Sequence, residues 1–145
     1  MTYNNCKSQA IKDLKDYNYL KSSLSTLPKR IEVMRSCALP SGSGFVSVPS
    51  GCTPGDDKMI NYLSHIEHLE NILAANTLKV QCIETALAAL PAKDKELLAS
   101  YYINRQRNTV TNLAYKSFSD RSSIYRRAQR ALEKYILAFF GEYPA

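Results

Sequence analysis

The sequence contains no tryptophan, no Cys-x-x-Cys pair and no apolar run long enough to cross a membrane. Its longest apolar stretches, such as YILAFF at 135–140, fall far short of the roughly 18 residues that a membrane span requires. The four scattered cysteines predict free thiols and argue against a disulfide framework or a zinc site. The N-terminal segment is polar and contains acidic residues, unlike a signal peptide. We therefore expect a cytoplasmic protein without membrane contact.

Sequence motifs of catalytic centres are also missing. There is no glycine-rich phosphate loop, no His-Glu-x-x-His and no Gly-x-Ser-x-Gly. His65 and His68 have a helical spacing that suits a metal ion, but they flank the apolar residues Ile66 and Leu69, and no third ligand accompanies them. A solvated helix face explains them more simply. We expect no enzymatic activity, no metal and no other cofactor.

Basic charge is concentrated at one end of the chain. The formal net charge is +6, yet residues 1–90 hold nine basic and eight acidic side chains and so contribute only +1. Between Arg105 and Lys134, eight basic and two acidic side chains carry a net charge of +6. This asymmetry indicates a polyanionic partner, and double-stranded DNA is the one we expect.

Two long amphipathic helices are predicted before residue 90. From about Ser8 to Ser36, two apolar series recur at heptad spacing, namely Tyr17, Leu24, Ile31 and Leu20, Leu27, Met34. Pro28 should kink or break this helix. The second helix contains two further series, Ile66, Leu73, Val80, Leu87 and Leu69, Asn76, Ile83, Leu90. Asn76 either fixes the register of the seam or lies at a frayed edge.

Residues 37–57 separate the two helices and hold four of the five glycines and three of the six prolines. This composition predicts a flexible connector, with Asp57 as the N-cap of the second helix. Two amphipathic helices joined in this way predict an antiparallel, coiled-coil-like hairpin over residues 1–90. A separate domain then follows over residues 91–145. Because a spare apolar seam can seat a second copy, we expect a homodimer.

The C-terminal domain has the pattern of a helix-turn-helix. VTNLAYKS predicts a short helix, FS at 118–119 a turn, and Asp120 the N-cap of a final helix. The small side chain of Ala114 would let the two helices approach closely. Phe118 and Ser119 stand where glycine is frequent in such turns, which leaves the geometry of the turn open.

The final helix has one apolar side and one basic side. Its apolar stripe, at three- and four-residue spacing, comprises Ile124, Ala128, Ala131, Leu132 and Tyr135. An α-helix fits the DNA major groove, where arginine can bond guanine twice and serine or tyrosine can bond phosphate or base. The predicted DNA contacts are Arg121, Ser122, Ser123, Tyr125, Arg126, Arg127, Gln129, Arg130, Arg105, Arg107 and Lys116. The plainer alternative is a solvated surface helix.

The segments ALAALPAKDKELLASYYI and VTNLAYKSFSDRSSIYRRAQRALEKY resemble region 4 of bacterial sigma factors. The landmarks are the LP before the first helix, the LA within the second and the S-x-Y-R-R-x-x-x-A-L of the last. In that family the last helix reads a promoter element. The resemblance therefore implies that DNA is faced by Arg121, Ser122, Ser123, Tyr125 and Arg126. The chain has no room for sigma region 2, which melts promoters, so a complete sigma factor is not implied.

Nearly the whole chain is also similar to phage- and prophage-encoded late-gene regulators of the ArpU/RinA type. The pieces that carry this similarity are Tyr3 to Tyr17, the connector 37–57, and the RS-x-x-YR, AL and G landmarks from Arg121 to Gly141. The resemblance implies a sequence-specific, DNA-binding regulator of phage late genes in the bacterial host cytoplasm. Host RNA polymerase is a further candidate partner.

Two other functions fit the same features. A phage DNA-packaging adaptor is the first, because small terminase subunits also join a helix-turn-helix to coiled coils, and it would form rings in solution. The second is an interaction protein, such as an inhibitor of a host nucleic-acid enzyme, that uses the basic patch without reading a DNA sequence.

Overall fold

The computed structural model describes residues 3–38 and 54–142. Over these ranges the chain is all-helical, as predicted. The elements are α1 Tyr3–Ala38, α2 Pro54–Ala88, α3 Ala92–Leu98 with a π-helical continuation Ala99–Ile103, α4 Thr109–Lys116 and α5 Arg121–Phe140. Helices α1 and α2 pack antiparallel, which confirms the predicted pairing. Within the described ranges, no helix combines the length and the apolar character that a bilayer crossing needs.

Pro28 lies inside α1 without ending it, so the break is wrong and the kink, the other predicted outcome, stays a prediction. Proline lacks the N–H that would bond the Leu24 carbonyl, and this loss by itself disfavours a helix. The neighbouring residues compensate, because Leu27 and Ile31 are buried in a cluster with apolar residues of α2. Tertiary packing of an amphipathic face supplies most of the stability of a helix in a protein. Here that packing outweighs one missing hydrogen bond.

Helix α2 begins at Pro54, so the prediction that Asp57 is its N-cap is wrong. Proline suits the first position of a helix, because its fixed φ is already helical and an N–H there would have no intrahelical partner. The predicted connector 37–57 is also too long at both ends, since α1 continues to Ala38 and α2 starts before residue 57. The centre of that connector, residues 39–53, lies outside the described residues.

One compact unit of the chain is Leu20–Leu78. Its core is a cluster of positions from the predicted heptad series, Leu27, Ile31, Ile66 and Leu69. Asn76 is half-buried in this unit, and its side-chain amide donates a hydrogen bond to Ser23 Oγ at 3.0 Å. Asn76 therefore lies in the seam between the helices, and the alternative of a frayed edge is not supported.

The other compact unit comprises Met1–Tyr19 and Lys79–Ala145. Its fully buried large side chains include Leu14 of α1, Ile83 of α2 and Leu132 of α5. Both long helices belong partly to each compact unit. The predicted division of the chain into two domains at residue 90 stays a prediction.

Within this unit, α3, its π-helical continuation, α4 and α5 surround a small apolar core. The core consists of the buried Tyr101, Ile124 and Ala128, with the partly buried Leu97, Tyr102, Val110, Leu113 and Ala114 packed on it. Ala114 is thus partly buried against this core, where α4 and α5 meet. Because these side chains fix the inner faces of α4 and α5, the residues on the remaining faces are held outward.

Candidate nucleic-acid interface

The turn between α4 and α5 is a Schellman motif closed by a phenylalanine. Phe118 has a φ of 52°, in the left-handed region where glycine is usual. The Ser119 N–H bonds the Ala114 carbonyl at 3.0 Å, and the Phe118 N–H bonds the Tyr115 carbonyl at 3.4 Å. This pair of bonds satisfies the last carbonyls of α4. The turn geometry that the sequence left open is therefore a tight helix stop with an aromatic residue in the position that favours glycine.

Asp120 is the N-cap of α5, as predicted. Its carboxylate accepts a hydrogen bond from the Ser123 N–H at 3.1 Å, and the hydroxyls of Ser122 and Ser123 donate to the same carboxylate. The hydrogen bonds from Ser123 and Ser122 lower the pKa of Asp120, because they favour its charged form. The first turn of α5 is therefore fixed by its own side chains.

Helix α5 is divided into a buried side and an exposed side. The predicted apolar stripe is confirmed, since its members are all buried: Ile124, Ala128, Ala131, Leu132 and Tyr135. Ser122, Arg126 and Arg130 follow one another at four-residue spacing and all three are exposed. Residues four apart share one face of a helix, so these three side chains form a single row, which we call the outer row.

The predicted contacts Arg121 and Tyr125 lie beside the outer row, where other residues already contact them. The Arg121 guanidinium donates a hydrogen bond to Thr111 Oγ1 of α4 at 3.0 Å. The Tyr125 ring meets the Tyr101 ring edge-on, with 6.2 Å between the centroids, and remains about half exposed. Both side chains are accessible to a partner while being positioned by the fold.

Gln129 and Ser123 are the predicted contacts that the structure turns away from the outer row. The Gln129 Oε1 accepts a hydrogen bond from Lys7 Nζ of α1 at 3.2 Å. Ser123 is half-buried and engaged in the cap of α5. Neither engagement could be seen in the sequence, because one partner lies more than a hundred residues away and the other depends on a side-chain rotamer.

Arg105 and Arg107 are both exposed in the loop before α4. The Arg105 guanidinium carbon lies 4.7 Å from the centre of the Tyr101 ring, a cation–π distance. Burial raises the pKa of the neighbouring Tyr102 hydroxyl, and the Arg105 charge opposes that rise. The loop itself is closed by a hydrogen bond of 2.7 Å from the Gln106 N–H to Thr109 Oγ1.

A basic cleft of about 720 Å³ lies between α3, α4 and α5. Its cations are Lys93, Lys116, Arg127, Arg130 and Lys134. Among the described residues, Lys134 pairs with Asp94 at 2.8 Å and the other four form no ion pair. Lys93 and Lys134 were not among the predicted DNA contacts, because α3 and the later turns of α5 are brought together only by tertiary packing.

Two exposed aromatic side chains were also missed. Tyr115 is 85% exposed and Phe118 is 99% exposed. Together with Thr111, Ala114 and Ser119 they line an open cleft of about 470 Å³ beside the N-terminal end of α5. The sequence contained one sign of this feature, namely an aromatic residue in a turn where glycine is frequent.

His65 and His68 are both exposed on α2, with 6.5 Å between their ring centroids. Within residues 3–38 and 54–142, no group of three or more histidine, cysteine, aspartate or glutamate side chains is placed to hold a metal ion. The absence of catalysis and of cofactors stays a prediction.

The described residues thus define an all-helical protein with an antiparallel pair of long helices and a basic cluster of small C-terminal helices. No family model, no curated protein and no solved structure matches this chain. Its function is therefore inferred from its own residues.

Proposed function

We propose that this protein is a sequence-specific DNA-binding regulator of transcription, and that α4 and α5 form a helix-turn-helix similar to sigma region 4. In this proposal α5 enters the major groove of double-stranded DNA, and the protein regulates phage late genes in the cytoplasm of a bacterial host. No catalytic step is assigned to it.

The outer row of α5 is the observation that carries the proposal. Arg126 and Arg130 are exposed and form no ion pair among the described residues, while the opposite side of the helix is buried. An unpaired guanidinium on a rigid helix is ready to bond a base edge or a phosphate without first breaking an internal contact. The cap formed by Asp120 holds the first turn, which is the part of a recognition helix that reaches base edges.

The basic cleft supports the proposal by adding a phosphate-binding surface beside the outer row. Arg130 belongs to both features, so the outer row and the cleft are continuous. Contacts to phosphate fix the register of a protein on DNA, while contacts to base edges select the sequence. We assign Lys93, Lys116 and Arg127 to phosphates, and Ser122 and Arg126 to base edges. Arg121 also contacts base edges once its hydrogen bond to Thr111 is broken.

Self-association and contact with host RNA polymerase are further parts of the proposal. Several large apolar side chains of the Leu20–Leu78 unit are exposed, among them Val33, Ile60 and Leu63. Exposed apolar side chains on an amphipathic helix pair can seat a second copy. We therefore propose a homodimer, which light scattering of the purified protein would detect. A ring-shaped assembly in that measurement would instead favour a DNA-packaging adaptor.

The test of DNA binding begins with a selection of genomic DNA fragments at physiological salt, followed by anisotropy titrations on the selected site. We expect Arg126→Ala to weaken binding to that site by about 5- to 150-fold, which corresponds to the loss of one bidentate contact with a base. Arg126→Lys should recover little of this loss, because lysine keeps the charge but cannot make the two-pronged contact. Lys116→Ala should weaken all DNA sequences alike and reduce the slope of affinity against salt by about one.

Arg30→Ala is the matched control, since it removes an exposed arginine of the Leu20–Leu78 unit and the same charge. Its affinity should equal that of the unaltered protein. The proposal fails if no discrete site emerges from the selection, or if Arg126→Ala and Arg30→Ala have the same effect. Binding that is insensitive to both sequence and salt would favour a protein partner for the basic surface.

A further inference from the structure

Phe118 is in a position that is unfavourable for a phenylalanine in two respects. Its side chain is 99% exposed, and its backbone has a positive φ that residues other than glycine rarely adopt. Glycine in this position would relieve both conditions and keep the Schellman turn. Tyr115, one turn earlier on α4, is 85% exposed on the same open cleft. Two exposed aromatic rings around one cleft indicate a surface that is covered when a partner binds.

The position of this surface restricts the partner. Phe118 precedes Arg121, the first residue of α5, by three positions, so their Cα atoms lie no more than about 11 Å apart. Any groove that admits the N-terminal end of α5 therefore also approaches Phe118. Thr111, which lines the aromatic cleft, accepts the hydrogen bond of Arg121. The cleft and the proposed DNA-reading end of α5 thus form one continuous surface.

The cleft has an uncharged lining with one cation at its wall. Arg121 contacts its wall through the hydrogen bond to Thr111. Its lining residues are uncharged. The carboxylate of Asp120, which caps α5 through its hydrogen bonds with Ser122 and Ser123, does not line the cleft. An apolar centre with an arginine at its wall matches a ligand that has phosphates outside and an apolar group inside.

We propose that Phe118, with Tyr115 beside it, is a contact site for the C5-methyl group of thymine in the DNA major groove. This methyl group is the apolar feature that the major groove offers to a protein, and phenylalanine is among the side chains that contact it. The inference rests on the proposed function and extends it, because it predicts that the recognised site contains thymine next to the bases read by Ser122 and Arg126.

Replacement of thymine by deoxyuridine tests the inference, because it removes only the methyl group. The selected DNA site is prepared with each thymine replaced singly, and affinities are measured by anisotropy at one salt concentration. One or two replacements should weaken binding by about three- to fivefold, the effect expected for one buried methyl group. Phe118→Gly should weaken binding to the thymine site by a similar factor and abolish the difference between thymine and deoxyuridine at those positions.

Phe118→Gly is chosen because glycine favours the backbone conformation of this turn, so loss of folding does not confuse the result. Tyr19→Ala, which removes an exposed tyrosine of α1, is the matched control and should preserve the thymine preference. The inference is overturned if every deoxyuridine site binds like the thymine site while Arg126→Ala still weakens binding. It is also overturned if Phe118→Gly changes the molecular mass of the assembly instead of the thymine preference, since the ring would then contact a second copy.

Discussion

Lys79 Nζ of α2 lies 2.9 Å from Oδ1 of Asp13 of α1, and the Asp13 side chain is only 2% exposed. The same carboxylate oxygen accepts a hydrogen bond from Gln9 Nε2 at 2.8 Å. The Lys79 side chain is 38% exposed, so the two partners differ in their access to water. A buried charge of this kind connects the two long helices within the unit that also contains α5.

The unequal burial predicts unequal effects of removing each partner. Lys79→Met should lower the free energy of unfolding by about 3 kcal/mol, because it leaves the Asp13 carboxylate buried without its counter-charge. Asp13→Asn should cost less, because Lys79 can turn to water and asparagine can still bond Gln9. Urea denaturation of both variants measures the two losses, with Lys12→Met as a surface control. Equal losses would show that the carboxylate does not depend on Lys79.

The hydroxyl of Tyr135 is the basis of a second prediction. It is buried and finds no hydrogen-bond partner among the described residues. Burial raises its pKa well above the ordinary value, and the charges of Asp13 and Cys82 act in the same direction. Because the folded-state pKa is raised, stability is complete below the unfolded pKa of about 10 and falls as the pH rises above it.

Tyr135→Phe should remove both the unpaired hydroxyl and the alkaline loss of stability. We expect the free energy of unfolding to rise by about 1 kcal/mol at neutral pH, because phenylalanine buries the same ring without a polar atom. Thermal unfolding at neutral and alkaline pH measures this, and Tyr115→Phe, which alters an exposed ring, should change neither value. A less stable Tyr135→Phe variant would mean that the hydroxyl is bonded after all.

The cap of α5 predicts a pH dependence at the acid end. The pKa of Asp120 is lowered in the folded state, so its stabilising contribution is complete above the unfolded value of about 4 and is lost as the pH falls through the folded value. Asp120→Asn keeps an N-cap acceptor but cannot titrate. The difference in melting temperature between the two proteins should therefore shrink as the pH is lowered from neutral to about 3. A difference in melting temperature that does not change with pH would show that the acid loss of stability comes from a group other than Asp120.

Replacing Asn76 with an apolar residue should make the helix pair more stable but its register less specific. Asn76→Leu should raise the free energy of unfolding by about 1 kcal/mol, because it adds apolar surface to the seam. Ser23 retains a partner, since its hydroxyl also bonds the Leu20 carbonyl. The same change should broaden the distribution of oligomers, because a polar seam residue restricts register. Urea denaturation and light scattering test both effects, and a loss of stability would show that the hydrogen bond to Ser23 stabilises the pair more than the added apolar surface does.

Local pattern predicted those parts of the fold that depend on neighbouring residues. The stripe from Ile124 to Tyr135 and the cap at Asp120 follow from spacing and from one side chain at a helix start, and both are confirmed. The break at Pro28 and the start of α2 at Asp57 were wrong. At Pro28 long-range packing decided the outcome, and at Pro54 a proline suited the first turn of a helix that was expected to begin later.

The sequence by itself determined that the chain folds into helices and which side of α5 is buried, because apolar periodicity is a local property that survives in any helical packing. Only the tertiary structure decided which cations meet. Lys93 joins Arg127 and Arg130 in one cleft because α3 packs near α5, whereas Gln129 is drawn away to Lys7 of α1. It also decided that Phe118 occupies a left-handed turn in full exposure. These outcomes depend on how helices distant in sequence pack together, and a linear pattern does not encode that geometry.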